Sequence, residues 1–571
     1  MPKRKLEPDH APSREIRPES PLAVALLRLW CLGDISASCL QVLAHAATKS
    51  GCDQADLVGL ASLGGFGVNP NHVQKQLMSR VFTDMVAPEP AVVETKAWGK
   101  DKTGQRVFVD TKPPLLLPHE WMLSLDSSAI EEDVLGVNDI STFWDSQPAS
   151  NPRVAQSAKY FKQALQKTPG LVPFALHGDA APHSNVDSLL VISLRAMTSR
   201  LSVASSQLLL ACIPKSCITE QLMKDLWKRL TSSLQALATG KCPTTGRRFR
   251  PGVVYAVTGD LEFFYQEFGL PRPNTPNPCC WCACTQEGPA SWNDFRDDAA
   301  WKATTLTPGQ LSARLDHPLF KVSGCNAMAL SLDCLHVLDL GVSCHVVGNV
   351  LWELLEARAG SRDTNMSALN AEIQELYQEF GTPASSRLPN LKWKSDIAGS
   401  ANEYPCLKHQ KGRRIRHFMP VCLELARRYS SRDDRASLHR LRVVESLKEV
   451  YDTLDQPGFR WSEEVSKNFA ASVQTFLKHY SFLAKRAFVA KLCRWSIVSK
   501  HHMTAHMPSM AKHLAPRHYW TYGSESFMGF MSHLANACLA GMSAHKIPWT
   551  VMFKYRTFWQ LLFKRLLVLD D

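Results

Sequence analysis

The chain has 571 residues, 45% hydrophobic and 21% charged, so most of it is expected to fold into globular cores rather than remain disordered. This length suits about three to four domains. The net charge of +12 and the pI near 8.9 favour a nucleic-acid partner, although an incidentally basic enzyme would show the same modest excess. The 17 cysteines form no regular disulfide framework and indicate a reducing compartment. No membrane segment is predicted, because the apolar run Leu22–Leu32 is too short to span a bilayer and contains Arg28.

The N-terminal part of the chain is predicted to be a disordered tail followed by a helical module. Residues 1–20 are rich in proline and charge and form the predicted tail. Within it, Lys3-Arg4-Lys5 fits part of a nuclear localisation signal, while a plain solvated tail would carry the same residues. A nuclear location is therefore predicted, with the cytoplasm as the alternative. Residues 21–150 are predicted to form helices, with a hairpin over Lys96–Thr111.

The stretch from residue 171 to residue 268 reads in the order strand, strand, strand, helix, strand, helix. The predicted strands are Leu171–His177, Leu189–Leu194, Gln207–Ile213 and Val253–Val257, and the helices are Thr219–Thr239 and Leu261–Phe268. Three strands in a meander, with a fourth added after a crossover helix, make a ribonuclease-H-like arrangement. In that arrangement the ends of the first and fourth strands lie side by side.

Each of those two ends carries a Gly-Asp pair, which places Asp179 after the first strand and Asp260 after the fourth. Carboxylates are the residue type that holds two Mg²⁺ ions in phosphoryl-transfer enzymes, because hard cations prefer oxygen ligands. Gly-Asp after a strand is also ordinary turn chemistry, so either aspartate alone would indicate little. The pair, on the strands that this fold needs, predicts a metal site.

A loop dense in proline and cysteine follows, and Cys279 and Cys282 in it have zinc-ligand spacing. Cys280 and Cys284 lie beside them, and the segment containing Cys334 and His336 offers further partners. The predicted zinc ligands are Cys279, Cys282 and His336. Reduced cysteines in a loop are one alternative, and an active-site role for Asp333 or His336 is another.

Two basic stretches are candidates for phosphate contacts, and a solvated charged face is the alternative for both. The predicted nucleic-acid residues are Arg247, Arg248, Lys411, Arg413, Arg414 and Arg416. Near the C-terminus, Glu525 lies among aromatic residues and methionines, an unusual place for an acid unless it is exposed or functional. The start of a surface helix capped by Ser524 is the alternative there.

Four segments resemble parts of the transposases of CACTA (En/Spm)-type DNA transposons. They are LHGDAAPH around Asp179, TGDLEFFYQEFGLPRPNTPNPCCWC after Asp260, SLDCLHVLDLGV with Asp333 and His336, and HHMTAHMPSMAKHLAPRHYWTYGSESFMGFMSHLANA near the C-terminus. The resemblance covers roughly residues 170–345 and 480–545. Each motif is short, but their order and spacing together are fairly specific.

The resemblance implies a DDE-type enzyme in which two aspartates and a glutamate bind Mg²⁺ or Mn²⁺, cut DNA and transfer strands. Asp179 and Asp260 match the first two acids, Glu525 is the first choice for the third, and Asp339 and Glu353 are alternatives. The implied partner is DNA, and a homo-oligomer is left open. The alternative functions are a catalytically inactive, domesticated nuclear DNA-binding protein and a ribonuclease-H-like host nuclease.

The predicted fold class is α/β, with a ribonuclease-H-like mixed sheet, a large helical insertion and helical terminal regions. The predicted domains after the N-terminal module are the core with its Cys-rich insertion at 165–345, the helical insertion at 346–480 and a helical region at 481–571 that completes the core.

Overall fold

The computed structural model describes residues 15–101, 103–167, 170–184, 186–539 and 542–567. The first 14 residues of the predicted tail, including Lys3-Arg4-Lys5, lie outside these ranges. The strands are β1 Ala91–Val92, β2 Thr95–Lys100, β3 Arg106–Thr111, β4 Pro114–Leu115, β5 Val172–Pro182, β6 Ser188–Ala196, β7 Leu208–Pro214 and β8 Gly252–Gly259.

Helices make up most of the described chain. In chain order they are α1 Pro21–Leu32, α2 Ala37–Lys49, α3 Ala55–Ala61, α4 Val73–Val81, α5 Pro118–Leu125, α6 Glu131–Leu135, α7 Ile140–Asp145, α8 Pro152–Ala155, α9 Ala158–Lys167, α10 Val203–Ser206, α11 Glu220–Thr239, α12 Leu261–Phe268, α13 Pro308–Arg314, α14 Ser343–Glu356, α15 Arg362–Glu379, α16 Gly412–Arg428, α17 Arg435–Leu454, α18 Glu463–Val489, α19 Ser499–Ala511, α20 Tyr522–Ala537 and α21 Ile547–Phe563.

The described residues divide into two compact units. The first takes those within Met1–Ile140, Thr168–Val253 and Gly523–Asp571, and the second takes those within Ser141–Lys167 and Val254–Tyr522. Both units are therefore built from segments that are distant in sequence.

In the first unit, helices α1 to α4 surround a small apolar core that includes Leu27, Trp30 and Leu40. The Ser20 hydroxyl caps α1 by accepting a hydrogen bond from the Ala23 N–H, and Gly33 ends the helix in the left-handed conformation (φ 88°). The break predicted near Gly33 therefore has a local cause. Strands β2 and β3 pair antiparallel across the predicted hairpin.

The large sheet has the strand order β7-β6-β5-β8, in which β5 pairs antiparallel with β6 and β6 with β7. Nearly every residue of β7 and β8 is buried, which is typical of strands covered on both faces. Helix α11 begins at its Thr219 cap and ends at Gly240 (φ 64°), as predicted. The protein is a mixed α/β protein with a mixed sheet.

The first strand of this sheet is longer than predicted. The prediction ended it at His177, but β5 continues to Pro182, and Asp179 lies inside it opposite Val191 of β6. The extension follows from pairing, because β6 offers backbone partners as far as Ser188, and a turn signal such as Gly-Asp does not stop a strand that has a partner.

In the second unit, the segment that begins at Leu330 pairs with the sheet before it becomes helical. Leu330 forms a parallel bridge with Val257 of β8, and the Ser331 N–H donates to the Val257 carbonyl oxygen at 3.0 Å. A π-helical segment, Leu335–Val342, follows and leads into α14. Leu335–Glu356 is apolar and long enough to cross a membrane by composition, and 83% of its most hydrophobic window is buried inside the protein, as in a core helix.

The chain between α18 and α19 is not helical. Helix α18 ends at Val489, and the chain turns through Lys491 (φ 55°) and Trp495 (φ 54°) before α19 begins. Trp495 is held by two hydrogen bonds: its backbone N–H donates to Asn349 at 2.7 Å, and its indole N–H donates to Glu353 at 2.6 Å. These bonds fix an otherwise unfavourable left-handed residue.

Candidate active site and metal centre

Asp260 follows β8 and is the N-cap of α12. One of its carboxylate oxygens accepts a hydrogen bond from the Phe263 N–H at 2.6 Å. Helix capping thus explains the hydrogen bond made by one of the two carboxylate oxygens of Asp260. The side chain is partly exposed, so the carboxylate lies where a ligand can reach it.

Asp333 leaves the same end of the sheet as Asp260. The parallel bridge joins Val257 to Leu330, and each aspartate lies three residues beyond its member of that pair. Because the two segments run parallel, residues at equal distances beyond the bridge lie side by side. Both aspartates therefore lie at the carboxyl end of the paired segments.

The Asp333 carboxylate is buried and accepts hydrogen bonds from five donors. They are the Thr521 N–H (2.8 Å) and hydroxyl (2.7 Å), the Leu335 N–H (3.2 Å), and the His336 N–H (2.9 Å) and Nδ1 (2.7 Å). Burial acts to raise the pKa of Asp333, but the hydrogen bonds from His336 and Thr521 prevail and lower it.

The ionised Asp333 fixes the tautomer of His336. Because Nδ1 donates to the carboxylate, the lone pair lies on Nε2. A carboxylate that orients an imidazole in this way is typical of the outer partner of a metal-binding or proton-transferring histidine. Asp333 is thus a positioning residue, and His336 is the group it presents.

Lys500, near the start of α19, brings a positive charge to the same part of the second unit. Its ammonium group donates to the Leu340 carbonyl oxygen at 2.9 Å, and its stem would collide with any side chain placed at Gly341. Burial lowers the pKa of Lys500, while the negative charges of Asp260 and Asp333 oppose that effect. Sequence reasoning missed Lys500, because it is 240 residues from Asp260 and no motif marks it.

Asp179 and Glu525 meet in the first unit. Each offers a carboxylate oxygen, and these two atoms lie within 4.8 Å of one another. Asp179 is buried in β5, and its Oδ1 accepts from the Ala180 N–H at 2.6 Å. Glu525 lies in the first turn of α20. Two ionised carboxylates this close repel each other unless a cation or a shared proton offsets the charge.

Helix α20 begins earlier than the sequence suggested, and Ser524 is not its cap. The helix starts at Tyr522, and Ser524 lies inside it, where its hydroxyl accepts from the side-chain amide of Gln207 at 3.0 Å. A second bond runs from the Ser532 hydroxyl to the Pro182 carbonyl oxygen at the end of β5. These two contacts hold α20 along the sheet and bring Glu525 to Asp179.

The alternative third acids both have structural partners. Glu353 forms an ion pair with the buried Arg440 at 2.9 Å and also accepts the Trp495 indole N–H. Asp339 is fully buried and accepts a hydrogen bond from the Tyr451 hydroxyl. Burial raises the pKa of Asp339 to about 7, although that hydrogen bond and the charge of Arg416 act in the opposite direction.

The zinc candidates Cys279 and Cys282 meet two histidines of α19 instead of His336. Cys279 Sγ lies 3.3 Å from His506 Nε2, Cys282 Sγ lies 3.3 Å from His502 Nε2, and the two Nε2 atoms are 3.2 Å apart. His336 is engaged with Asp333, so its prediction as a zinc ligand is replaced by His502 and His506. The four side chains are buried.

These distances fit a tetrahedral zinc ion. With Zn–S near 2.3 Å and Zn–N near 2.0–2.1 Å, ligand atoms at tetrahedral angles lie roughly 3.3–3.8 Å apart. The donor set, two thiols at i and i+3 and two imidazoles at i and i+4, is typical of structural zinc sites. Cys284 lies within 4.8 Å of Cys279, Cys282 and His502 and is a fifth candidate donor.

The surroundings of the cluster orient its ligands. His502 Nδ1 lies 2.7 Å from the Trp292 carbonyl oxygen, which places the lone pair on Nε2, toward the thiols. The Trp281 N–H points at Cys279 Sγ at 3.3 Å, and the Arg314 guanidinium donates to the Cys279 carbonyl oxygen at 2.9 Å. The sequence signal for His502 and His506 was their four-residue spacing on one helix.

A second group of candidate ligands, His119, Glu120 and Cys242, has its own hydrogen-bond partners. His119 Nδ1 lies 2.7 Å from the Ser233 hydroxyl, and Nε2 lies 3.1 Å from Glu120. Cys242 Sγ contacts the Thr244 hydroxyl at 3.1 Å. Because these contacts satisfy the polar atoms, the group does not require a metal.

The predicted nucleic-acid residues divide into exposed and internal ones. Lys411 and Arg413 are exposed at the start of α16, and Arg248 is exposed in the loop before β8. Arg247, also exposed, forms an ion pair with Asp126 at 3.3 Å. Arg414 is half-buried.

Arg416 is internal, contrary to its predicted role in phosphate contact. It forms an ion pair with Asp455 at 2.6 Å and lies over the rings of Tyr451, Trp520 and Tyr522. Cation–π contacts of this kind hold the guanidinium inside the second unit.

No protein-family model and no curated protein matches the chain.

We expect the purified protein to contain zinc held by the cluster of Cys279, Cys282, His502 and His506. His506→Ala should release the metal and lower the melting temperature, because buried thiols and imidazoles would lose their common partner. Metal content by mass spectrometry and a thermal melt measure both effects. Cys280→Ala is the matched control, since Cys280 is equally buried in the same loop and should leave the zinc content unchanged. Full zinc retention in His506→Ala would exclude His506 as a ligand and leave Cys284 as the fourth donor.

Asp339→Asn should remove a pH dependence of stability. The pKa of Asp339 is raised above its unfolded value, so its contribution is fully present below about pH 4 and is lost as the pH rises toward 7. The Asn variant keeps an oxygen acceptor for Tyr451. Its melting temperature relative to wild type should therefore be higher at pH 7.5 than at pH 5. If the melting temperatures of the variant and the wild type differed by the same amount at both pH values, the raised pKa of Asp339 would be contradicted.

Proposed function

We propose that the protein is a transposase-like or transposon-derived enzyme that cleaves DNA and transfers strands at a metal-dependent DDE-type site. Asp179, Asp260 and Glu525 are its proposed acids. The observation that carries the proposal is the approach of the Asp179 and Glu525 carboxylates to within 4.8 Å, from a strand and a helix far apart in sequence. The resemblance to CACTA-type transposases points to these same two residues.

The finer fold assignment, a ribonuclease-H-like core, belongs to the same proposal. Its support is the meander of β5, β6 and β7 with β8 next to β5 in the strand order. The Val172 N–H donates to the Pro251 carbonyl oxygen at 2.9 Å, so β5 and β8 begin at the same level.

The acids have the chemistry for Mg²⁺ or Mn²⁺, since both ions prefer carboxylate oxygens. When bound, such ions would supply charge stabilisation to the attacking and leaving oxygens of a phosphodiester. The chain contributes the placement of the acids: β5 holds Asp179, the N-terminus of α12 holds Asp260, and the contacts of Ser524 and Ser532 hold the helix that carries Glu525.

Two further groups, neither of them among the three proposed acids, would assist the proposed DNA cleavage. Asp333 positions His336 in the tautomer whose Nε2 lone pair can accept a metal or a proton. Lys500, close enough to Asp260 and Asp333 to interact with their charges, would attract a DNA phosphate.

The zinc cluster has a structural role in this proposal. It would join the Cys-rich loop to α19, and α19 carries Lys500. Exposed Lys411, Arg413 and Arg248 would contact the DNA backbone, which binds cations independently of sequence.

We expect Asp179→Asn, Asp260→Asn and Glu525→Gln each to abolish Mg²⁺-dependent nicking of plasmid DNA, with a loss of at least about a hundredfold, because each variant removes a carboxylate charge. Gel assays of supercoiled and open-circular DNA measure the nicked fraction. Asp298→Asn, which changes an exposed aspartate of the second unit, is the matched control and should nick normally.

The same preparations should be tested for DNA binding. Binding that survives in Asp179→Asn while nicking disappears supports the catalytic assignment. Equal nicking by wild type and Asp179→Asn would refute it. DNA binding by the wild type without any nicking would support the alternative, a DNA-binding protein that has lost the chemistry.

Replacing both Lys411 and Arg413 by alanine should weaken DNA binding about equally for unrelated sequences. The slope of log affinity against log salt should become shallower by about two, one for each phosphate that the variant no longer neutralises. Fluorescence anisotropy at several salt concentrations measures that slope. Arg432→Ala, an exposed arginine in the loop between α16 and α17, is the control. Arg416→Ala should instead lower the melting temperature, since Arg416 is bound internally.

A further inference from the structure

Cys344 and Cys406 form a thiol pair at the wall of a cavity in the second unit. Cys344 lies in the first turn of α14, and Cys406 lies in the extended segment before α16. The Leu407 N–H donates to the Cys344 carbonyl oxygen at 2.9 Å, which holds the two backbones together. The backbone of Cys406 also lies against Gly348, where an added Cβ would be 2.6 Å from it. These backbone contacts bring both cysteines to the lining of the same cavity.

The cavity gives these thiols access to small molecules. Its volume is about 460 Å³, and both cysteines line it together with His345, Lys408 and Lys500. Cys406 is partly exposed, whereas Cys344 is buried and its thiol points at the Asp339 carbonyl oxygen at 3.2 Å. The two cysteines therefore differ in accessibility, although they line the same cavity.

The electrostatic surroundings also separate the two thiols. Contact with the Cys344 thiol, together with nearby His345 and Lys408, lowers the pKa of Cys406 to about 5 in spite of its burial. Contact with Cys406 and burial raise the pKa of Cys344. A thiolate is the reactive form of cysteine, and a nearby thiol can resolve its oxidised form.

We propose that Cys406 and Cys344 are a peroxide-oxidisable pair, in which Cys406 is the attacking thiolate, Cys344 is the resolving thiol, and the product is a Cys344–Cys406 disulfide. This inference does not depend on the DNA-cutting function.

The chemistry balances with hydrogen peroxide as the oxidant. The Cys406 thiolate attacks one peroxide oxygen, so that an S–O bond forms, the O–O bond breaks and the departing hydroxide takes up a proton to become water. The Cys344 sulfur then attacks the Cys406 sulfenic acid, so that an S–S bond forms, the S–O bond breaks and a second water leaves with the Cys344 proton. Two thiols are oxidised and one peroxide is reduced to two waters.

The test uses the full chain treated with hydrogen peroxide, followed by proteolysis without reductant and tandem mass spectrometry. The expected product is a linked peptide pair joining Cys344 to Cys406, which disappears after reduction. In Cys344→Ser, a sulfenic acid trapped by dimedone should accumulate at Cys406, and in Cys406→Ser neither product should form. Cys39→Ser is the control, because Cys39 is exposed on α2 and should not affect the pair.

A measurement on the wild type keeps the proposal testable even if a variant fails to fold. Cys406 should react with iodoacetamide near neutral pH about tenfold faster than exposed Cys39. Oxidation of the zinc-cluster cysteines is mapped separately in the same digest. Slower labelling of Cys406 than of Cys39, or no Cys344–Cys406 link when Cys39 is itself oxidised, would overturn the proposal.

Discussion

The second unit depends on the contact between α19 and the Cys-rich loop. The buried side of α19 carries polar residues, among them His501, His502, Thr504 and His506. Burial of Met503, Met507 and Met510 on the same helix is opposed by the cost of burying imidazoles and hydroxyls, which lose hydration. A metal ion shared with Cys279 and Cys282 would supply the compensating interaction. The same helix carries Lys500 to Gly341, so a structural metal site would also determine where that cation lies.

Several carboxylates of the described chain have identified structural partners, whereas one pair of carboxylates lies close together. Asp333 accepts five hydrogen bonds and serves to orient His336, and Glu353 neutralises Arg440. Asp179 and Glu525 instead approach another carboxylate, an arrangement that raises the electrostatic energy unless a cation is present. A bound cation would stabilise two carboxylates held this close together, because it offsets their mutual repulsion.

The order of strands and helices around the sheet could be predicted. The period of the hydrophobic pattern and the length of each apolar run distinguish the strands from the helices. α12 and the capped α11 were predicted closely, whereas the end of β5 was misplaced because Gly-Asp looks like a turn even inside a paired strand. The bridge between Leu330 and Val257 could not be predicted, because a short apolar run does not reveal a partner 73 residues away in sequence. The histidine partners of Cys279 and Cys282 lie more than 200 residues away, and their four-residue spacing marks them as candidate ligands without showing which thiols they contact.

Net charge is a poor guide to DNA binding in this protein, because several of the guanidinium groups counted in the +12 are internal. Arg440 joins Glu353 to the Tyr429 carbonyl oxygen, Arg494 pairs with Glu356, and Arg416 lies among three aromatic rings. Arginine suits these positions because its planar group binds carboxylates and carbonyls in fixed directions and stacks on aromatic faces. Such cations cannot contribute to counterion release. The proposed DNA binding would therefore depend on exposed residues such as Lys411 and Arg413, and not on Arg416, three residues further on.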